Sequence, residues 1–88
     1  MMKVYFIGEK RELPPKHKAR AVAIFTSRWM DGIRAAEHGP VSISTYNPNH
    51  VHGIVRATSG RNWTANLVIL KNEKDKKRPP LYTLVIQR

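Results

Sequence analysis

The sequence predicts an α+β domain: an N-terminal strand, one helical region, then a four-stranded antiparallel meander. Three observations carry that expectation. Val4-Tyr5-Phe6-Ile7 is an aromatic and β-branched run stopped by Gly8, apolar residues between Pro15 and Pro40 recur at helical spacing, and after Pro40 the apolar pattern changes to period two. At 88 residues the chain has the length of a single domain, residues 1–88.

Each element has its own signal. Residues 4–7 read as the first strand, and Glu9 to Leu13 as a charged connection. Pro15 suits the first turn of a helix and Gly39-Pro40 is a stop. Between them Val22, Phe25, Trp29, Ile33 and Ala36 recur at spacings of 3, 4, 4 and 3, which aligns them on one helical face. A rival reading has Arg20, Val22 and Ile24 alternate with alanines as a strand, with Thr26 or Ser27 capping a shorter helix through Glu37. The longer helix is preferred, with a break allowed near Thr26-Ser27 or at Asp31-Gly32.

Beyond Pro40, Val41, Ile43 and Thr45 alternate with Ser42, Ser44 and Tyr46. Asn47-Pro48-Asn49 reads as a turn, and His50 to Thr58 as the returning strand with Val51, Gly53 and Val55 on one face. Ser59-Gly60-Arg61-Asn62 is a second turn. Trp63 to Leu70 follows as a strand whose outer half is apolar on both faces, so a central position is expected for it. Leu81 to Ile86 is the last strand, reached through an exposed basic loop, 71–80.

Charge is the strongest functional signal. Sixteen Lys and Arg against six Asp and Glu give a net charge of +10. Two clusters stand out: Lys10, Arg11, Lys16, Lys18 and Arg20 around Pro14-Pro15, and Lys71, Lys74, Lys76, Lys77 and Arg78 before Pro79-Pro80. A basic domain of this kind carries the electrostatic footprint of a nucleic-acid binder, and Arg56 and Arg61 extend the candidate set. With no cysteine there is neither a disulfide nor a thiolate metal site, which points to a reducing, cytoplasmic compartment. Lys3, Glu9, Lys10, Arg11 and Glu12 interrupt the first twenty residues, against a secretory signal, and no apolar run approaches the roughly 20 residues of a bilayer span.

Catalytic patterns are sparse. The six acids, Glu9, Glu12, Asp31, Glu37, Glu73 and Asp75, are interleaved with lysine and arginine and read as solvated counter-charges. No Gly-x-Ser-x-Gly or phosphate-loop glycine pattern occurs, and nothing calls for a cofactor. If residues 50–58 are a strand, His50, His52 and Arg56 share one face. The run Asn47-Pro48-Asn49-His50-Val51-His52-Gly53-Ile54-Val55 resembles the His-hydrophobic-His strand of HUH-type transposases and relaxases, which implies a divalent cation on the two histidines. The carboxylates that a hard cation needs are absent between Glu37 and Glu73, so no metal is expected. The small, basic layout of a strand, a helical region and antiparallel strands ending in Thr83-Leu84-Val85-Ile86-Gln87-Arg88 is similar to that of RelE-like toxins, which implies ribosome-dependent cleavage of messenger RNA.

The expected function is that of a small, non-enzymatic, regulatory protein binding nucleic acid or a ribonucleoprotein through its two basic clusters. An alternative is a phage- or mobile-element-type inhibitor of an acidic host protein, and a second is the RelE-like endonuclease. The two-faced final strand is suited to adding to a partner's sheet or to pairing with a second copy.

Overall fold

A computed structural model describes residues 2–12, 23–71, 77 and 79–88. Five strands and two helices follow one another along it: β1 (Lys3–Ile7), β2 (Ala23–Thr26), α1 (Trp29–Ala35), β3 (Val41–Thr45), α2 (Pro48–Gly60), β4 (Thr64–Leu70) and β5 (Leu81–Gln87). The strands form one mixed sheet in the order β2-β1-β3-β5-β4. β1 runs parallel to both β2 and β3, and β5 is antiparallel to both β3 and β4. The α+β class is therefore present, but in place of an antiparallel meander the sheet has a parallel half joined to an antiparallel hairpin. No helix among the described residues is long and apolar enough to cross a membrane.

Two segments depart from the sequence expectation. Residues 23–26, expected inside a long helix, pair with β1 from Val4↔Ala23 to Ile7↔Thr26. Ile-Phe-Thr is a β-branched and aromatic run, which favours a strand over a helix, and β1 offers it a parallel partner. Phe25 consequently leaves the expected stripe and meets Phe6 edge-on at 6.0 Å. Of the others, Ile33 and Ala36 are buried and Trp29 packs against the core, while Val22 lies outside the described residues. α1 continues into a single 3-10 turn over Ala36–His38 before Gly39-Pro40 ends it.

Residues 48–60, expected as a turn followed by a strand over 50–58 and a second turn, form the longest helix among the described residues. Asn47 is extended and its side chain accepts a hydrogen bond from the Asn49 N–H at 2.9 Å, with Pro48 in the first turn. Asn-Pro is thus a helix start here and not a turn. Val51, Ile54 and Thr58 then fall one helical turn apart and face the sheet, with Ile54 and Thr58 fully buried. At the far end the Arg61 N–H donates to the Thr58 carbonyl, and Asn62 takes a left-handed φ of 59° that turns the chain into β4.

Both helices cover the same face of the sheet. Ile33 from α1, Ala36 from the 3-10 turn that follows it and Ile54 from α2 pack with Tyr5, Ile7, Val41, Ile43, Leu84 and Ile86. Gly32 lets α1 approach closely: a Cβ there would lie 2.6 Å from Ile43 Cδ1 and 2.7 Å from Cγ1. The opposite face has a smaller apolar cluster of Phe6 and Leu81 with Tyr46, and Ser44 Oγ bonds Thr83 Oγ1 at 3.0 Å across β3 and β5. β5, not β4, is the interior strand. β4 was expected to be central and lies at the edge, because β5 returns between it and β3.

Gly32→Ala is expected to destabilise the fold by about 1–3 kcal/mol in chemical denaturation, because Ile43 is already fully buried and has to move. Asn47→Ala is expected to cost about 1 kcal/mol. Were residues 48–60 a strand, Asn47→Ala would be nearly neutral, so this variant separates the two readings.

Candidate nucleic-acid interface

The register decides which loops share an end of the sheet. β1, β2 and β3 run the same way, and the pairs Ile7↔Thr26 and Phe6↔Ser44 bring their C-terminal ends level. Thr45↔Tyr82 and Leu70↔Leu81 place the start of β5 and the end of β4 at that same end. Open sheets with parallel strands generally bind their ligands beyond the carboxyl ends of those strands.

Five cations leave the sheet there. Lys10 and Arg11 sit in a 3-10 turn directly after β1, Arg28 follows β2, Lys71 follows β4, and Lys77 lies in the connection that re-enters at β5; all five are exposed. Members of the two sequence clusters, some sixty residues apart, are thus brought to one edge. Local bonds shape this edge. The Gly8 N–H donates to the Thr26 carbonyl at 3.1 Å, tying the ends of β1 and β2. Glu12 accepts from the Glu9 N–H at 3.0 Å, which closes the turn that carries Lys10 and Arg11. Arg11 pairs with Glu9 at 2.7 Å, an exposed contact worth about 0–1 kcal/mol and easily exchanged for another anion.

Arg28 was not singled out by the sequence. Its signal becomes visible only if Ala23–Thr26 is read as a strand, because Arg28 is then the residue between a strand end and a helix start. Thr26 Oγ1 fixes this corner, accepting from the Arg28 N–H at 3.1 Å and donating to Asp31 Oδ2.

Beside the cations lies the entry to α2. Thr45 Oγ1, buried at the end of β3, accepts from the Asn47 N–H at 3.1 Å and shares a 2.8 Å hydrogen bond with His50 Nδ1. One hydroxyl thereby holds both the capping residue and the first turn of the helix. This overturns the shared histidine face. On a helix His50 and His52 point to nearly opposite sides: His50 turns inward to Thr45, while His52 is exposed with Arg56 one turn further on. The resemblance to the HUH strand ends with this helix, and among the described residues no group of three or more His, Asp or Glu could hold a metal ion. The expected order of a strand, one helical region and antiparallel strands, on which the likeness to RelE-like toxins rested, is also altered, since β2 interrupts the helical region and α2 stands where a strand was expected.

Arg56 and Arg61 do not join the cationic edge. Arg56 projects from the exposed side of α2, and Arg61 lies at the opposite end of the sheet, where α2 gives way to β4. There its guanidinium sits 5.6 Å above the Trp63 ring, and its Nη1 donates to the Ala57 carbonyl at 3.0 Å, a cation closing a helix C-terminus. Arg88 is at that end too, donating to the Glu37 carbonyl at 3.1 Å. Of the other candidates, Lys16, Lys18, Arg20, Lys74, Lys76 and Arg78 lie outside the described residues.

The chain matches no protein-family model, and no curated protein or solved structure matches it either.

Thr45→Val, which keeps the shape and removes the hydroxyl, is expected to lower stability by about 1–2 kcal/mol and to broaden the amide signals of residues 46–50 in NMR spectra. An unchanged spectrum would mean that the hydroxyl does not organise the start of α2.

Proposed function

We propose that the chain is a small non-enzymatic module that binds nucleic acid, alone or within a ribonucleoprotein, by laying the phosphate backbone along the cationic end of its sheet. The observation that supports this reading is the convergence of Lys10, Arg11, Arg28, Lys71 and Lys77 from four separate segments onto one end of five strands. Strands about 4.8 Å apart place the ends of β2 and β4 about 19 Å from each other. At one charge per 1.7 Å, that length of duplex carries roughly 11 backbone charges. A row of cations meeting a row of phosphates gives affinity without base contacts. Lysine acts as a point charge, and among the described residues no helix presents a series of arginines to a groove, so binding is expected to be insensitive to sequence.

The balance of charge favours the same reading. The whole chain carries +10, and among the described residues at this end Lys10, Arg11, Arg28, Lys71 and Lys77 outnumber Glu9, Glu12 and Asp31. The net charge of these described residues is therefore positive.

Salt titration of binding to duplex DNA tests the proposal. Each phosphate contact contributes about −0.9 to the slope of log K against log salt, so five cations predict a slope of about −4.5. Lys71→Ala and Lys10→Ala should each make the slope shallower by about 0.9, whereas Arg61→Ala, at the opposite end, should leave it unchanged. No binding at low salt, or equal effects from all three variants, would remove the proposal.

A further inference from the structure

β4 is the outermost strand on its side of the sheet, and among the described residues no strand pairs with its outer side. Such an edge presents a row of backbone donors and acceptors, and proteins ordinarily blunt it with lysine, proline, a bulge or a very short strand. β4 carries none of these. It pairs with β5 without interruption from Thr64↔Gln87 to Leu70↔Leu81, and Thr-Ala-Asn-Leu-Val-Ile-Leu contains no charge, no proline and no glycine.

The side chains point to the same conclusion. Trp63 and Ala65, at the start of the strand, pack against the core under α2, but Leu67, Val68, Ile69 and Leu70 remain 38–49% exposed. Leu67 and Ile69 lie on the helix-covered face, opposite Leu84 and Tyr82, and Val68 and Leu70 lie on the other face, opposite Thr83 and Leu81. A strand laid along β4 would cover both pairs at once, which neither a helix nor a flat surface would do.

We propose that β4 is a docking edge for an extended segment of another protein, an apolar strand flanked by carboxylates. Charge selects this occupant. Arg61 stands before the strand, Lys71 directly after it and Lys77 in the connection that follows, and no Asp or Glu occurs between Glu37 and Glu73. A second copy of the chain would set +10 against +10. A stable dimer also buries about 800 Å² per partner, roughly an eighth of the 6229 Å² this chain exposes, and four half-covered aliphatic side chains fall short of that. An added peptide strand draws its affinity from main-chain hydrogen bonds and needs no such area. Nucleic acid would find no aromatic platform among residues 64–70 on which to stack bases.

The test uses the full chain, isotope-labelled for NMR, and a synthetic peptide of alternating threonine and valine with two glutamates at each end. Saturable amide shifts centred on residues 61–71, with slowed hydrogen exchange along 64–70, are expected. Val68→Asp should weaken binding about tenfold or more, as should replacing the flanking glutamates with lysines. Leu67→Thr with Val68→Thr, which keeps β-branched residues in the strand, should weaken it as well and guards against a fold defect in the aspartate variant. Absence of shifts in 61–71 overturns the inference. So does a change in those signals on dilution of the chain alone, which would identify a second copy as the occupant, or displacement of the peptide from 64–70 by an oligonucleotide. Peptide binding by a chain that ignores duplex DNA would sustain this inference and remove the proposed function, so the two fail separately.

Discussion

Every part of this fold answers to β3. All five of its residues, Val41 to Thr45, are buried, so it has no solvent-facing side and must be satisfied on both faces and both edges. On one face Val41 and Ile43 require apolar cover, which α1 and α2 supply. On the other, Ser42 and Ser44 are small enough to lie beneath neighbouring side chains, and Ser44 finds a hydroxyl partner in Thr83. Its two edges are taken by β1 in parallel and β5 in antiparallel orientation. A parallel neighbour requires a crossover, so α1 is placed on the sheet by the same constraint that buries the strand. The Thr45 hydroxyl then passes the constraint on to α2 through Asn47 and His50.

Charge and apolar surface are kept apart. Three of the four carboxylates in the described segments have local partners, Glu9 with Arg11, Glu12 with a backbone N–H and Asp31 with Thr26 and Arg34. Exposed pairs of this kind add little stability. Such pairing leaves the net charge unchanged, so the long-range field follows the balance of the whole chain, which is +10. Lys10, Arg11, Arg28, Lys71 and Lys77 stand in connections, while the strand edge formed by residues 64–70 carries no charge.

The α+β class, the first strand, the strands at 64–70 and 81–87 and the stop at Gly39-Pro40 were legible because each rests on a local signal: a β-branched run, an alternation or a breaker. The two misread segments are those in which local signals conflict. In residues 48–60 the positions Val51 and Val55 fit a period of two and a period of 3.6 equally, and histidine, valine and threonine have weak helix propensity, so the Asn47-Pro48 cap was the deciding feature. In residues 23–26 an alanine-rich context favoured helix until pairing with β1 outweighed it. The order of the sheet left only an ambiguous trace, since residues 81–86 and the outer half of 63–70 are both apolar on two faces and nothing local says which of them inserts beside β3. The basic clusters were readable as composition, but their meeting at one end of the sheet, and the place of Arg28 beside them, follow from strand direction alone.

The three central strands come from residues 3–7, 41–45 and 81–87, so each is separated from the next by nearly half the chain. Closing such distant pairings costs loop entropy before any contact rewards it, which makes the centre of the sheet slow to assemble and its formation nearly all-or-none. During synthesis on the ribosome, β1 and β3 would emerge long before β5, leaving β3 with an open edge and Ser44 without Thr83. The strand that completes the middle of the sheet, β5, is the last of the five to be made, so folding of the sheet waits for its synthesis.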